Sequence, residues 1–552
     1  MMINFADNTL EGLCLAASEK YGDRHAFALF KEEGISRRIS YRTAGYRARQ
    51  LGLLLGQLGI SPGDRVLLIS ENRPEWPVAY FGIAMAGAVS IPLLTGFSPE
   101  QVLHIAGHAG ASAIILSGEM SEKMGQYKSK LPAAMPVIFL DNLAGAGIDD
   151  KIEITVSIDG SEKRIPLPAS IDDSVRFHGR KPDDLASIIY TSGTLGGSKG
   201  VMLSGANLIS CALSTQSLVT ITPRDRVISV LPLAHAYECS LGLLAPFMSG
   251  AVINYLDRPP SASVLLPAAK KLRPTIMVSV PLFIEKMYYS GVAPKLRKSR
   301  LYRCPVTRPL AALFAGRKLK KVLGGKMSFF GVGGAPLSEE VEDFLRRARF
   351  PYAHGYGLTE AAPLVAGSAP RTFPFRSVGP ALKGVEIRIA ANSGGVLGIG
   401  EIQVRGPNVM MGYYRDEVQT RETFTEDGWL RTGDLGSIDG RGRLYVRGRL
   451  KALILGSGGE NIYPEEIEGL LGTSEIVEEA LVFSGEKGEL VAMVRLTDAA
   501  KAAVSKIEHA MEELRAWANK KLASFSRLSR IEIRNEPFEK TPTMKIKRYL
   551  YV

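Results

Sequence analysis

From about residue 36 to 330 the chain alternates short apolar runs with longer amphipathic stretches of helical pattern. Val66-Leu67-Leu68-Ile69 followed by an uncharged helical stretch near Pro77 to Met85 is one such pair. Short continuous apolar runs suit strands buried on both faces, and their alternation with helical patterns predicts a parallel sheet covered by helices, an α/β fold. Val78 to Leu94 and Cys239 to Leu256 fall short of the ~20 residues that cross a bilayer. Gly82, Gly87, Pro92, Pro246 and Gly250 interrupt them, so each predicts a buried helix followed by a buried strand. Asp141 to Pro182 is more polar and reads as a surface excursion. From Gly379 to Arg447 the runs shorten to strand-and-turn, as in Val385 to Ile389 and Glu401 to Val404, which predicts a small β-rich unit.

Glycine and arginine crowd the stretch from Asp439 to Lys451, the composition of a flexible junction. Beyond it, Val504, Ile507, Met511, Leu514 and Ala518 recur at three and four residues and form one apolar stripe on a helix. Strands at Leu490 to Val494 and Ile531 to Ile533 flank it, which predicts a compact α+β unit.

At 552 residues the chain exceeds what one core serves, since cores stop growing near 250–300 residues. Cys14, Cys211, Cys239 and Cys304 lie far apart with no CxxC pair, against both a disulfide framework and a zinc site, so a cytoplasmic setting is expected. The first ten residues carry Asp7 and no basic flank, unlike a signal peptide. Charge changes the picture at one place. Between residues 291 and 326 stand eleven Lys and Arg and no acid, against a net charge of +12 for the whole chain. Such a block is a solvated face, or a contact for an anionic partner: a membrane surface or the phosphates of coenzyme A. Leu296, Leu301, Tyr302, Leu310, Leu313 and Phe314 interleave with the cations. That mixture favours peripheral contact at the inner membrane surface over nucleic acid, for which no recognised motif is present.

The candidate chemistry begins at Tyr190-Thr191-Ser192-Gly193-Thr194-Leu195-Gly196-Gly197-Ser198-Lys199-Gly200. Glycines admit backbone N–H groups to an anion, Thr191, Ser192 and Thr194 donate hydroxyls, and Lys199 adds a cation, so the loop suits phosphate. It is not the GxxxxGK[ST] loop, because Ser198 stands where that pattern has its second glycine. It resembles the signature loop of the adenylate-forming enzymes, the superfamily of acyl-CoA synthetases, peptide-synthetase adenylation domains and firefly luciferase. LPLAHAYE (231–238), GGAPL (333–337), GYGLTE (355–360), GEIQVRGPNVMMGYY (400–414), GWLRTGDLG (428–436), GRLKALIL (448–455), GENIYPEEIE (459–468) and TPTMKIKR (541–548) extend the resemblance in order. Leu195 and Ser198 depart from the small polar residue and the proline usual there, and Met544 from a frequent glycine.

The resemblance implies a large N-terminal domain, residues 1–449, of two βα sheet subdomains plus a small β-rich one, and a small mobile C-terminal domain, residues 450–552. It implies ATP, Mg²⁺ and coenzyme A as cofactors, with Thr191, Ser192, Gly193, Thr194 and Lys199 on the phosphates. Glu360 is implied to bind Mg²⁺, with Thr191 as a second candidate ligand, and Thr359 to touch the α-phosphate. Tyr356, beside Gly357, is expected to stack on adenine, and Asp434 with Arg449 to grip the ribose hydroxyls. Lys545 is the expected catalytic lysine, reaching both carboxylate and α-phosphate, and Lys451 the hinge. His235 and Glu238 are expected along the passage to the acyl pocket, His235 in a positioning role. Gly333, Gly334 and Ala335, with Ala361 and Ala362, leave room there for an apolar tail.

No aspartate stands among Ala236 to Cys239 to pair with a substrate amine, and no carrier segment follows Lys545, against a peptide-synthetase module. ENRPEW (71–76), LPLAHAYE and TPTMKIKR are similar to the long-chain fatty acyl-CoA synthetase branch. The expected activity is ATP-dependent formation of acyl-AMP from a medium- or long-chain fatty acid, then thioester formation with coenzyme A. The alternatives are an acyl-AMP ligase that loads an acyl carrier protein, and a non-catalytic nucleotide sensor.

Overall fold

The computed structural model describes residues 8–132, 134–143, 145, 150–168, 171, 180–192, 198–391, 398–455, 461–485, 489–503, 507–540 and 546–551. Two large mixed sheets dominate it. One runs in the order Gly412–Tyr413, Ser198–Ser204, Leu185–Ser192, Val89–Leu93, Arg65–Ile69, Ala113–Leu116, Val137–Phe139, Glu153–Ile158, Ser161–Pro166. Its five strands from Leu185–Ser192 to Val137–Phe139 are parallel, and antiparallel strands close both edges. The other runs Leu364–Gly367, Tyr352–Gly357, Phe329–Val332, Ile276–Ser279, Arg226–Ile228, Val252–Leu256, His25–Lys31, Gly34–Ser40, with all but its two edge strands parallel.

The two long apolar runs fold as their composition demands. Glu75–Met85 is a helix buried at every residue, followed by the buried strand Val89–Leu93. Glu238–Leu244 winds as a π-helix into Ala245–Met248 before strand Val252–Leu256. A helix apolar all round belongs inside the protein, and both stretches sit in one apolar core that also takes side chains from both sheets. At the head of the first helix, Glu75 is fully buried but held by Arg37 and by Arg73, whose Nε lies 2.9 Å from its carboxylate. The Asp141 to Pro182 excursion contains more order than its polarity predicts: Glu153–Ile158 and Ser161–Pro166 form a hairpin that extends the sheet edge.

Residues Gly379 to Arg449 build a five-stranded antiparallel sheet. Part of the expected flexible junction is a tight hairpin within it. Asp439 accepts from the Arg443 backbone at 3.1 Å and side chain at 2.7 Å, and Gly442 turns the chain at φ +74°. After strand Arg443–Arg449 a single 3₁₀ turn, Leu450–Ala452, leads to the C-terminal unit. There helix Ile507–Asn519 lays Met511, Leu514 and Ala518 against the three-stranded sheet Val477–Ser484, Leu490–Leu496, Arg530–Ile533. Val504 of the expected stripe lies outside the described residues.

Candidate active site

In open α/β sheets ligands collect beyond the carboxyl ends of the parallel strands. Thr191 lies at that end of Leu185–Ser192, Gly333 follows Phe329–Val332, and Thr359 and Glu360 follow Tyr352–Gly357. The apolar run 185–190 and the run after the loop form one antiparallel hairpin, whose register puts Lys199 directly across from Thr191. A hydroxyl and an ammonium thus face one another at the hairpin mouth. Gly193 and Thr194 fall outside the described residues, and Ser192 is described in its backbone only.

The clasp between this hairpin and Glu360 is the segment 408–414. Met411 N donates to Met202 O at 3.0 Å and Tyr414 N to Gly200 O at 2.8 Å, so the segment pairs with the Lys199 strand. Met410 N donates to Glu360 O at 2.9 Å, and the Asn408 amide donates to the carbonyls of Ala361 and Leu364 at 3.0 and 2.8 Å. Tyr413 joins the side chains. Its hydroxyl donates to Glu360 Oε1 at 2.9 Å, its ring lies 4.9 Å beneath Lys199 Nζ, and Lys199 also donates to Gln419. Burial and the Glu360 carboxylate both push the Tyr413 phenol above its usual range, so it stays a donor at neutral pH. Tyr413 stands in a quoted motif, GYY, but the sequence reading gave it no role; a phenol between a phosphate-loop lysine and a carboxylate is visible only once the strands pair.

The 3₁₀ turn Thr359–Ala361 that carries Glu360 is fixed tightly. A Cβ on Gly357 would sit 2.0 Å from Pro363 O, so only glycine fits where the chain doubles back. Four residues before Glu360, the buried Tyr356 donates its hydroxyl to Asp434 Oδ2 at 2.8 Å. Asp434 and Arg449 are cross-strand neighbours, with Arg449 Nε 3.2 Å from Asp434 Oδ1. Two sets of contacts thus stand at this strand end: Lys199, Tyr413 and Glu360 in one, and Tyr356, Asp434 and Arg449 in the other. Glu360 Oε2 has no protein partner among the described residues. A half-exposed carboxylate with a free oxygen suits Mg²⁺, which is usually held by one or two carboxylates and substrate phosphates.

On the other side of Gly333 stands the 231–238 loop. Asn72 of the ENRPEW motif pins it, donating to Ser229 Oγ at 2.9 Å and accepting from Leu233 N at 2.9 Å. His235 Nδ1 accepts from Tyr237 N at 3.1 Å, which fixes the orientation of its ring. At Gly333 a Cβ would lie 3.2 Å from the Tyr237 ring, so the tyrosine packs directly against that glycine, whereas a Cβ on Gly334 would meet only Val280, at 3.9 Å. Ala361 and Ala362 are fully buried in the core. Glu238 is completely buried, accepts from the Ser229 hydroxyl at 2.5 Å, and is pushed up to about 8 by desolvation, so it is largely protonated at neutral pH. His354, whose Nε2 lies 3.4 Å from Ala335 O, is lowered to about 4 by burial and is neutral.

Lys545 lies outside the described residues, and Lys451 is described only as the centre of the 3₁₀ turn. The descriptions of two family profiles match the chain: "AMP-binding enzyme" over residues 15–414 and "AMP-binding enzyme C-terminal domain" over 451–551. Among curated proteins it is 32% identical over 488 residues to the peroxisomal long chain acyl-CoA synthetase 6 of Arabidopsis thaliana, covering 83% of this chain and 68% of that one. A long-chain-fatty-acid–CoA ligase of Mycobacterium tuberculosis is 31% identical over 479 residues, 82% of this chain and 75% of its own. Among solved structures, ATP-bound MatB from Rhodopseudomonas palustris superposes with a TM-score of 0.74 at 26% identity over 98% of both chains.

Proposed function

The chain belongs to the AMP-binding enzyme family, and we propose that within it this protein is an AMP-forming acid–thiol ligase for fatty acids. The carrying observation is that strand Tyr352–Gly357 and the turn after it bring together two sets of contacts, Lys199–Tyr413–Glu360 and Tyr356–Asp434–Arg449. Phosphate and metal functions fall to the first set and the ribose function to the second. In the first step a carboxylate oxygen of the acid attacks the α-phosphorus of ATP, the bond to the bridging oxygen breaks, and pyrophosphate leaves with the electron pair. In the second the thiolate of coenzyme A attacks the acyl carbonyl and AMP departs, leaving the thioester.

Each residue answers a need of that chemistry. Two anions must approach, so Lys199 and Thr191 neutralise and orient the outer phosphates, while Lys545 serves the carboxylate and α-phosphate. Glu360 would hold Mg²⁺, which when bound would neutralise charge on the phosphates; Tyr413 keeps that carboxylate aimed by occupying its other oxygen. Asp434 accepts from the ribose hydroxyls and Tyr356 covers adenine. His235 and Tyr237 border the acyl side.

AMP release scored over carboxylic acids of graded length, with and without coenzyme A, tests the reading. Coenzyme-dependent AMP release with apolar acids is expected; AMP release that needs an acyl carrier protein instead would move the enzyme to the carrier-loading class. Lys451 is the proposed hinge between residues 1–449 and 450–552. Lys451→Pro removes a backbone donor and fixes φ, so thioester formation is expected to fall at least tenfold more than adenylation in single-turnover assays, about 1.4 kcal/mol of selective loss. Equal loss in both steps would remove the hinge.

A further inference from the structure

The crossover between parallel strands Ile276–Ser279 and Phe329–Val332 carries several helices where one would suffice. Its inner side is ordinary core: Ala293, Leu296, Ala312, Leu319 and Leu323 are buried with the surrounding sheet and helices. Helix Arg308–Val322 is seated closely, since a Cβ on Gly316 would lie 2.6 Å from Ala348 Cβ. The outer side is different. Leu301, Val306, Leu310 and Phe314 are 59%, 84%, 58% and 61% exposed. Leu296, by contrast, is buried, and Tyr302 and Leu313 are half-buried, so the exposed row is narrower than the sequence mixture suggests.

Around that row stand Arg300, Arg303, Arg308, Arg317, Lys318 and Lys321, all exposed, and among the described residues none of the six is in an ion pair. Arg297 is the exception in the block, engaged by Glu340 and Glu475. Two of the guanidiniums lean on aromatic rings of the same surface, Arg308 4.9 Å from Tyr302 and Arg317 5.8 Å from Phe314. The crossover begins at Val280 and Leu282, 37% and 60% exposed, where a Cβ on Gly334 would lie 3.9 Å from Val280. The crossover that carries the apolar, basic face on its later helices therefore leaves the sheet beside Gly334.

We propose that this face is a docking surface for a bilayer carrying anionic headgroups. Apolar side chains surrounded by unpaired cations match an interface whose outer layer is negative and whose next layer is hydrocarbon. A second copy of the chain matches it poorly, because a two-fold contact through this face would set cations against cations. The substrate class that follows, resting on the ligase reading above, is an amphiphilic acid partitioned into that bilayer; the docking itself needs no catalysis.

Cys304 lies within the face and is the one exposed cysteine of four, so an environment-sensitive fluorophore can be placed there without mutation. The full chain so labelled is mixed with vesicles of phosphatidylcholine alone or with phosphatidylglycerol, and binding is read by flotation and emission. Binding with a blue shift is expected on the anionic vesicles only, weakening as salt rises. Each surface cation is worth a factor of about five, so Arg317→Glu with Lys321→Glu is expected to weaken partitioning about 25-fold or more. Leu310→Asp with Phe314→Asp should abolish the blue shift. Circular dichroism and turnover of a water-soluble short acid, unchanged in both variants, show that folding and catalysis are intact. Wild-type vesicle binding by both variants overturns the proposal. So does equal binding to neutral vesicles, binding to nucleic acid in place of vesicles, or a change only in self-association. Loss of ligase activity with vesicle binding retained would count against the catalytic reading and leave the docking surface standing.

Discussion

Lys545→Ala is expected to slow acyl-adenylate formation by about 10²–10³-fold, the cost of removing one positioned donor from a developing anionic transition state. Transfer of the acyl group from supplied acyl-AMP to coenzyme A should stay within a few-fold of the wild type. The asymmetry follows from charge. In the first step a carboxylate must approach a phosphorus ringed by anionic oxygens, and a cation between them lowers the barrier more than it strengthens ground-state binding. In the second the phosphate is leaving as AMP, and the same cation is not required at the acyl carbon. Pyrophosphate exchange measures the first step and single-turnover thioester release the second. Equal loss in both would reassign Lys545 to general nucleotide binding. Lys545→Arg keeps charge but not the compact ammonium, and should recover nucleotide binding more than rate.

The parallel sheets and the buried helices were legible because burial on both faces forces continuous apolar runs, as in Val66 to Ile69 and Glu75–Met85. The stripe Met511, Leu514, Ala518 was legible for the same reason at helical spacing. What escaped the sequence was decided by pairing between distant segments. Tyr413 becomes a site residue only when strand Gly412–Tyr413 adds to the edge of Ser198–Ser204. Tyr237 becomes the neighbour of Gly333 only when a loop folds against the end of another strand. The Asp439 to Arg443 stretch looked flexible because glycine and arginine have that average behaviour; one carboxylate bonded to both the backbone and the side chain of Arg443 makes it a fixed turn.

Asp434 separates recognition from structure more sharply than any other position in the site, because its two oxygens have different partners. Oδ2 accepts from the buried Tyr356 hydroxyl at 2.8 Å and Oδ1 faces Arg449 at 3.2 Å. Arg449 is half exposed, so that ion pair contributes little to stability. The tyrosine bond matters more: Asp434→Ala strands a buried hydroxyl at a cost of about 1–3 kcal/mol. Asp434→Asn retains an acceptor of the same shape and should lose less stability. If Asp434 also accepts both ribose hydroxyls, each variant loses a charged acceptor that a neutral amide only partly replaces, and kcat/KM for ATP should fall about 10²-fold or more in both. Tyr356→Phe removes the hydroxyl and leaves the carboxylate, so it should lose far less in kcat/KM for ATP than either Asp434 variant. A purely structural Asp434 predicts another pattern: activity would track the thermal midpoint, with Asp434→Asn near wild type. Thermal denaturation and ATP titration of the three variants therefore decide between a carboxylate that holds a tyrosine and one that holds the nucleotide.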